Sequence, residues 1–342
     1  MNPASIILAP EVLEEGHLPE VLVAREAQIE DARFCLALAT NNWKPIHVWL
    51  HGRPGLGKTT VTRHLLNQLG NAGIKSVHVN CGERKSFYSV LDFIVAELRI
   101  LKGSQRGSSY KLDILKDHAE KKPIVVALDE IHLMPIAERT DMLHALAPMG
   151  KLGLVCISPS RGTITSLEES TYSRLSPKLI EFARYSVDDV FKILWLRAQH
   201  AIAENAWSED LLKMIAERAE GDARIAIQTL KRAAMLADRE NDCIKPRHVE
   251  TAFGRVKDLK RSYELKGMGE HHRLAYQIVS EKREVMTPEL LDEYLRRCKV
   301  SGMRPVSRRS LGNYLKDISR KGWVKELPSG KQSGAHLYRI VD

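Results

Sequence analysis

The chain has 342 residues, of which 44% are hydrophobic and 28% are charged, so it is long enough for two or three globular domains. No apolar run approaches the roughly 20 residues that a membrane span needs, and the five cysteines are scattered without a CxxC pair. These features argue against a membrane protein, a disulfide-rich secreted domain and a structural zinc site.

Short β-branched runs alternate with stretches of helical spacing from residue 1 to about residue 185. Strands are predicted at 46–52, 76–81, 123–130 and 152–158, and helices at 57–70 and 85–101. This alternation is typical of a parallel sheet covered by helices. The Gly- and Ser-rich residues 102–111 predict a loop.

The segment GRPGLGKT, residues 52–59, connects the first predicted strand to the helix that follows it. It fits the pattern G-x-x-x-x-G-K-[ST], in which backbone N–H groups of a glycine-rich loop surround nucleotide phosphates. We expect Lys58 to reach the β- and γ-phosphates of ATP and Thr59 to ligate Mg²⁺. The residues predicted to contact ATP or ADP in this segment are Gly52, Pro54, Gly55, Gly57, Lys58, Thr59 and Thr60.

The apolar strand IVVALDE, residues 124–130, ends in two acids. In a phosphate-loop ATPase, this position places Asp129 beside Mg²⁺ and directs Glu130 toward the water that attacks the γ-phosphate. The alternative is a strand that ends in acids at the edge of a sheet. The phosphate loop upstream favours the catalytic interpretation.

Amphipathic helices replace the strands from about residue 186 to about residue 262. The order of strand, phosphate loop, acidic strand and helical lid is that of AAA+ ATPases. GDAR at 221–224 resembles their sensor-2 motif, which implies that Arg224 contacts the γ-phosphate. YSRLSPKLIEF at 172–182 resembles the arginine-finger segment, which implies that Arg174 reaches the nucleotide of a neighbouring copy.

The last 80 residues combine three predicted helices, at 271–283, 287–299 and 307–320, with two strands, the plan of a winged helix. Residues 296–342 contain 12 Lys and Arg against 3 Asp and Glu, an excess equal to the net charge of +9 of the whole chain. This basic segment predicts a polyanionic partner, and double-stranded DNA is favoured over a protein. Because the third helix of a winged helix enters the major groove, the candidate DNA contacts are Ser307, Arg308, Arg309 and Ser310 in that helix and Lys325, Lys331 and His336 in the wing.

Several blocks in order along nearly the whole chain resemble the initiator ATPases of the origin recognition complex and the cell-division-cycle licensing family, especially the archaeal form. LPEVLVAREAQIE at 18–30 resembles the family's N-terminal box, which implies that Arg25 lies beside the adenine. VNCGERKSFYSVLDFIVAEL at 79–98 resembles the initiator-specific insertion, expected near 79–111, which implies DNA contacts by Arg84 and Lys85.

The resemblance implies an α/β AAA+ core with a parallel sheet at 1–185, an all-helical lid at 186–262 and a winged-helix domain at 263–342. It implies a DNA-binding replication initiator that recognises origin DNA and recruits or loads a ring helicase of the MCM type, or engages another replication or recombination protein. Such a protein is expected in the cytoplasm with the nucleoid in a prokaryote, and in the nucleus in a eukaryote.

Three positions depart from the family pattern. Ala24 precedes the Arg-Glu pair where the family has Gly or His, and Ser170 occupies a position where a second Arg often precedes the finger. Pro159 stands where the sensor-1 Asn is expected, which leaves Ser158 and Ser160 as candidates to position the attacking water. We therefore expect slow hydrolysis, with ATP acting as a switch.

Three alternatives stay open on the sequence. The first is a RuvB-type branch-migration motor, which shares the domain order and a similar phosphate loop. The second is an AAA+ target-selection adaptor of a mobile element. The third is a DNA-binding protein that holds its nucleotide permanently as a structural component.

Overall fold

A computed structural model of the chain describes residues 5–41, 43–100, 107–266, 268–328 and 336–341. The chain divides into two compact units, Met1–Phe253 and Gly254–Asp342. None of the described helices is long and apolar enough to cross a membrane.

A five-stranded parallel sheet forms the centre of the first unit. Its strands are β1 (Val48–His51), β2 (Lys75–Asn80), β3 (Ile124–Asp129), β4 (Leu152–Ser158) and β5 (Lys178–Glu181). They lie in the order β2-β3-β4-β1-β5. Every residue of β1, β3 and β4 is buried, which explains their continuous apolar runs in the sequence.

Helices pack on both faces of this sheet and form a separate core on each. They are α1 (Glu26–Ala37), α2 (Lys58–Asn71), α3 (Phe87–Glu97), α4 (Ser108–Lys121), α5 (Ile136–Leu146), α6 (Gly162–Thr165) and α7 (Glu169–Leu175). Helices α1 and α2 share one core, whereas α3, α4 and α5 share the other. Because α4 begins at Ser108, the predicted loop at 102–111 is wrong from residue 108 onward, and residues 101–106 lie outside the described part of the chain.

Four helices follow the sheet: α8 (Val187–Ala201), α9 (Glu209–Arg218), α10 (Ala223–Arg239) and α11 (Pro246–Lys266). The apolar faces of α8, α9 and α10 belong to the same core as α1 and α2. The N-terminal segment also joins this layer, since the Leu8 N–H donates to the Ala201 carbonyl at 2.8 Å. The chain before α1 is therefore anchored on the helices that follow the sheet.

The second unit packs three helices with a three-stranded antiparallel sheet. The helices are α12 (Glu270–Lys282), α13 (Thr287–Ser301) and α14 (Arg308–Arg320), and the strands are β6 (Glu284–Met286), β7 (Val324–Pro328) and β8 (His336–Ile340). The strand order is β6-β8-β7. These elements follow the order expected of a winged helix. The proposed domain boundary at 262/263 stays a prediction, because α11 runs through it as one helix.

Candidate nucleotide-binding site

The loop between β1 and α2 depends on glycines in the left-handed region, at Gly55 (φ +81°) and Gly57 (φ +83°). A Cβ at Gly57 would lie 2.7 Å from the Tyr185 hydroxyl, so a side chain there would be both strained and crowded. The loop leads directly into α2, whose first residue is Lys58. The N-terminus of α2, a favourable position for phosphate, therefore faces the loop.

Lys58 is buried at the start of α2 and is held by the loop itself. Its Nζ donates to the carbonyl oxygens of Gly52 and Arg53, the latter at 2.8 Å. Burial lowers the pKa of Lys58 to about 8, and attraction to Asp129 partly opposes this effect. A phosphate is a stronger partner for an ammonium group than neutral carbonyls are, so the site is suited to a nucleotide.

Asp129 at the end of β3 lies next to Thr59. The Thr59 Oγ1 donates to Asp129 Oδ2 at 2.7 Å, and His78 Nε2 lies 3.3 Å from the same oxygen. Burial alone would raise the pKa of Asp129, but the contacts with His78 and Thr59 outweigh it and hold the pKa below its ordinary value. Asp129 is therefore a carboxylate despite being buried.

This pair of oxygen donors fits Mg²⁺, which binds proteins through one or two oxygen side chains and keeps waters and substrate phosphates as its other ligands. The described residues contain no group of three or more His, Cys, Asp or Glu that could hold a metal by themselves. A metal at Thr59 and Asp129 would therefore depend on the nucleotide for its other ligands, and the assignment of these two residues as Mg²⁺ ligands stays a prediction.

Glu130 follows Asp129 in a left-handed conformation, with φ +53°. Burial, followed by the negative charge of Asp129, raises the pKa of Glu130 above its ordinary value. The carboxylate is directed toward Gly82, where a Cβ would lie 2.8 Å from Glu130 Oε2. The assignment of Glu130 to the attacking water stays a prediction.

A cavity of about 790 Å³ brings most of the predicted nucleotide contacts together. Its size falls within the range typical of small-molecule sites. Residues 15–23 of the N-terminal segment contribute to its lining. The predicted site residues in its lining are Pro54, Gly55, Gly57, Lys58, Thr59, Thr60, Asp129, Glu130 and Arg224.

The N-terminus of α10 rests on the phosphate loop. The Ala223 N–H donates to the Gly55 carbonyl at 3.2 Å, and the Asp222 carboxylate caps the helix by accepting from the Arg224 and Ile225 N–H groups. This contact places the Arg224 side chain in the cavity, with its Nε 4.0 Å from Glu15 Oε2. The predicted contact of Arg224 with the γ-phosphate stays a prediction.

Arg25 lies behind the phosphate loop. Its guanidinium donates to the carbonyl oxygens of Leu56, at 3.2 Å, and Ala183, at 3.0 Å, and lies 3.7 Å from the centre of the Tyr185 ring. Arg25 and Gly52 are both absent from the described lining of the large cavity. Arg25 therefore supports the loop in this structure, and its contact with adenine stays a prediction.

Two further predictions concern hydrolysis. Arg174 is exposed in the last turn of α7, away from the described lining of the cavity, as a residue that serves a neighbouring copy would be.

The Ser158 hydroxyl accepts from Trp49 Nε1 at 2.9 Å and donates its proton to the Ser160 carbonyl at 2.8 Å. The Ser158 proton is therefore already engaged in this structure, and Pro159 in the cavity wall has no N–H to replace it. The roles of Ser158 and Ser160 in positioning the attacking water stay predictions.

Two residues that the sequence analysis missed also shape the site. His78 of β2 contacts Asp129 of the neighbouring strand β3. In the pairing of these two strands Asn80 lies opposite Asp129, so the last residues of β2 lie next to the site. Arg197 of α8 is buried in the cavity wall and donates to the carbonyl oxygens of Val12 and His17. Neither residue belongs to a motif, so only the three-dimensional structure reveals its position.

The predicted DNA contacts lie in both units. In the second unit, Ser307 caps α14 by accepting from the Ser310 N–H at 3.2 Å, and Arg308 and Arg309 are exposed and form no ion pair among the described residues. Lys325 is exposed, His336 Nδ1 lies 3.2 Å from Glu326, and Lys331 lies outside the described residues.

In the first unit, the Arg84 guanidinium already contacts other side chains. Its guanidinium lies 3.9 Å from the centre of the Phe93 ring and 3.5 Å from Glu83. Lys85 beside it is exposed. Contact of either residue with DNA stays a prediction.

The chain is similar to known proteins along most of its length. Residues 191–254 match the family described as the Cdc6 AAA+ ATPase-type lid domain, and residues 46–158 match the AAA domain. An ORC1-type DNA replication protein of Haloarcula marismortui is 26% identical over 96% of this chain and 88% of that protein. Another, from Halobacterium salinarum, is 27% identical over 98% and 89%.

The solved structures agree on the fold. The Aeropyrum pernix ORC1 protein in complex with DNA has a TM-score of 0.77 and 24% identity, over 98% of this chain and 94% of that chain. The nucleotide site, the matching lid and core families and the ORC1-type relatives together identify the chain as a member of the ORC/Cdc6-type AAA+ ATPases.

Proposed function

We propose that this protein is a replication initiator that binds origin DNA under the control of ATP. The observation that carries the proposal is the pair of exposed arginines, Arg308 and Arg309, on the first turn of α14. Several other arginines of the unit are in ion pairs, as Arg296 and Arg297 are with Glu293. The names of the ORC1-type relatives support the replication role.

ATP would act as the switch of this proposed function. A γ-phosphate would engage Lys58 and Arg224, which belong to α2 and α10 and meet at one cavity. Mg²⁺ held by Thr59 and Asp129 would neutralise the phosphate charge that develops during hydrolysis. Since Pro159 has no donor and Ser158 is already bonded, hydrolysis should be slow and should end the DNA-bound state.

Further partners follow from the family resemblance. A ring helicase of the MCM type, or another replication or recombination protein, would be recruited to the bound DNA. Arg174 would let copies of the chain associate on DNA by reaching a neighbour's nucleotide. Steady-state turnover tests the switch against the RuvB-type motor, because sustained turnover of many ATP per second in stable rings would contradict a slow switch.

Measuring the affinity for duplex DNA across a salt series tests the DNA-binding proposal. If about eight phosphates are contacted, affinity should fall by orders of magnitude over a severalfold rise in salt. The double variant Arg308→Ala/Arg309→Ala should bind more weakly and with a shallower salt slope by about two. Arg320→Ala is the matched control, because Arg320 lies in the same helix but is paired with Asp317.

A flat salt response in the wild type, or equal DNA affinity in the double variant and the control, would remove the support for groove contact by α14. Unfolding temperatures of the wild type and the two variants should agree, since all of the replaced side chains are exposed.

A further inference from the structure

A second cavity, of about 320 Å³, lies at the carboxyl ends of β1, β4 and β5. Ligand sites of parallel sheets typically form at this edge, where loops from several strands converge. Each of three loops contributes one arginine to the lining: Arg53 follows β1, Arg161 follows β4 and Arg184 follows β5.

The lining is strongly basic. Among the described residues, Arg53 and Arg161 take part in no ion pair, and Arg184 donates only to the Glu220 carbonyl, at 3.2 Å. Glu181 is the one acidic side chain in the described lining. The cavity therefore combines three guanidinium groups with a single carboxylate, an arrangement that attracts anions.

His51 supplies a second, independent observation. Only 6% of its surface is exposed, it lines the cavity, and its imidazole forms no hydrogen bond with the described residues. Its register partner in β5 is Glu181, which places the two side chains on the same face of the sheet. An imidazole N–H that lines a cavity without a protein partner is free to donate to a ligand with acceptor oxygens.

We propose that this cavity binds a phosphate group through the guanidinium groups of Arg53, Arg161 and Arg184 and the imidazole of His51. Arginine suits this ligand because its donors match the spacing of phosphate oxygens. A backbone phosphate of DNA and free inorganic phosphate share the chemistry that the site recognises. The site is separate from the nucleotide cavity, although Leu56 and Pro159 line both.

The charges around His51 add a dependence on pH. Burial lowers the pKa of His51, Glu181 opposes this, and Arg161 and Lys58 reinforce it. A bound dianion would favour the imidazolium form, so binding takes up a proton and becomes stronger as the pH falls through the neutral range.

Sulfate is the appropriate probe, because its charge stays constant over the neutral range whereas that of phosphate changes. The protein is first saturated with Mg²⁺ and ADP to fill the nucleotide cavity. Sulfate is then titrated while the Cε1 resonance of ¹³C-labelled His51, assigned with His51→Gln, is followed. We expect a saturable shift of this resonance that is tighter at about pH 6 than at about pH 8.

The variants test the donors one at a time. Arg161→Gln and Arg184→Gln should each weaken sulfate binding about tenfold, a change of about 1.4 kcal/mol. Arg239→Gln is the control, since Arg239 is exposed on α10 and belongs to neither described lining. A linear, unsaturable shift, or equal affinity in the control and both variants, would overturn the proposal.

A final arm identifies the source of the phosphate. Adding a short DNA duplex during the titration should weaken the apparent affinity for sulfate if the natural ligand is the DNA backbone. An unchanged sulfate affinity assigns the site to free phosphate. DNA binding that depends on Arg308 and Arg309 is measured separately, so failure of this site and failure of the proposed initiator function are distinguishable.

Discussion

Individual residues of the nucleotide site hold one another in place. Thr59 bonds to Asp129, Asp129 contacts His78, and Lys58 bonds to the loop that precedes it. Each of these contacts joins two different segments of the chain or closes the loop on itself. A substitution at any of these positions therefore acts on its neighbours as well as on the bound nucleotide.

The depressed pKa of Lys58 predicts how nucleotide affinity responds to pH. Near pH 8 the free site loses the Lys58 proton, whereas bound phosphates raise the pKa and restore the proton. Binding therefore takes up a proton above this pH. The affinity for a non-hydrolysable ATP analogue should be constant from about pH 7 to the pKa and then fall by up to about tenfold per pH unit.

Fluorescence titration with a labelled analogue up to about pH 9.5 measures this profile. Lys58→Arg is the control, because a guanidinium stays charged over this range and its profile should stay flat even if binding is weaker. Constant affinity in the wild type up to the end of the range would show that Lys58 is charged in the free site.

Among the elements, the contact between α10 and the phosphate loop depends on Gly221. Its φ is +76°, and a Cβ there would lie 2.5 Å from the Tyr185 carbonyl oxygen. Gly221→Ala should lower the free energy of unfolding by about 1–3 kcal/mol and weaken nucleotide binding, because it displaces the turn that positions Arg224.

Chemical denaturation and nucleotide titration measure both effects. Gly254→Ala is the matched control, since Gly254 lies inside α11 and a Cβ there meets nothing within 4 Å. It should stabilise the protein by up to about 1 kcal/mol. An unchanged nucleotide affinity in Gly221→Ala would show that this turn does not position Arg224.

Elements with a strong local pattern were predictable, and those defined by distant partners were not. The predictions of strands β1 to β4 and helices α12 to α14 are confirmed. The strands have continuous apolar runs and the helices have apolar residues at helical spacing, so the local sequence was sufficient to predict them. Strand β5 has a single buried residue, and β6 has three residues, so neither has a recognisable pattern. Pairing with β1 and with β8 makes them strands.

The same distinction applies to the site. The phosphate loop and the acids at the end of β3 are contiguous motifs, and the structure brings them to one cavity. Arg197 and His78 reach that site from α8 and β2. The Ser158 hydroxyl accepts a hydrogen bond from Trp49, a residue 109 positions away. Such partners are set by the packing of the whole unit, which a local sequence pattern does not contain.

The whole molecule combines a nucleotide site in one unit with exposed arginines in the other. The ORC1-type relatives align with 96–98% of the chain, so the similarity covers both units. The central claim is that a nucleotide-bound protein marks origin DNA. This claim requires both units. It therefore predicts that replacing either Lys58 or the arginine pair Arg308 and Arg309 abolishes binding at origins.

Genome-wide mapping of DNA occupancy tests this claim most directly. The wild-type protein should give sharp peaks at replication start sites, and both Lys58→Ala and Arg308→Ala/Arg309→Ala should lose them, whereas the ion-paired control Arg320→Ala should retain them. Occupancy spread evenly along the genome, or peaks at start sites that persist in both variants, would contradict the account.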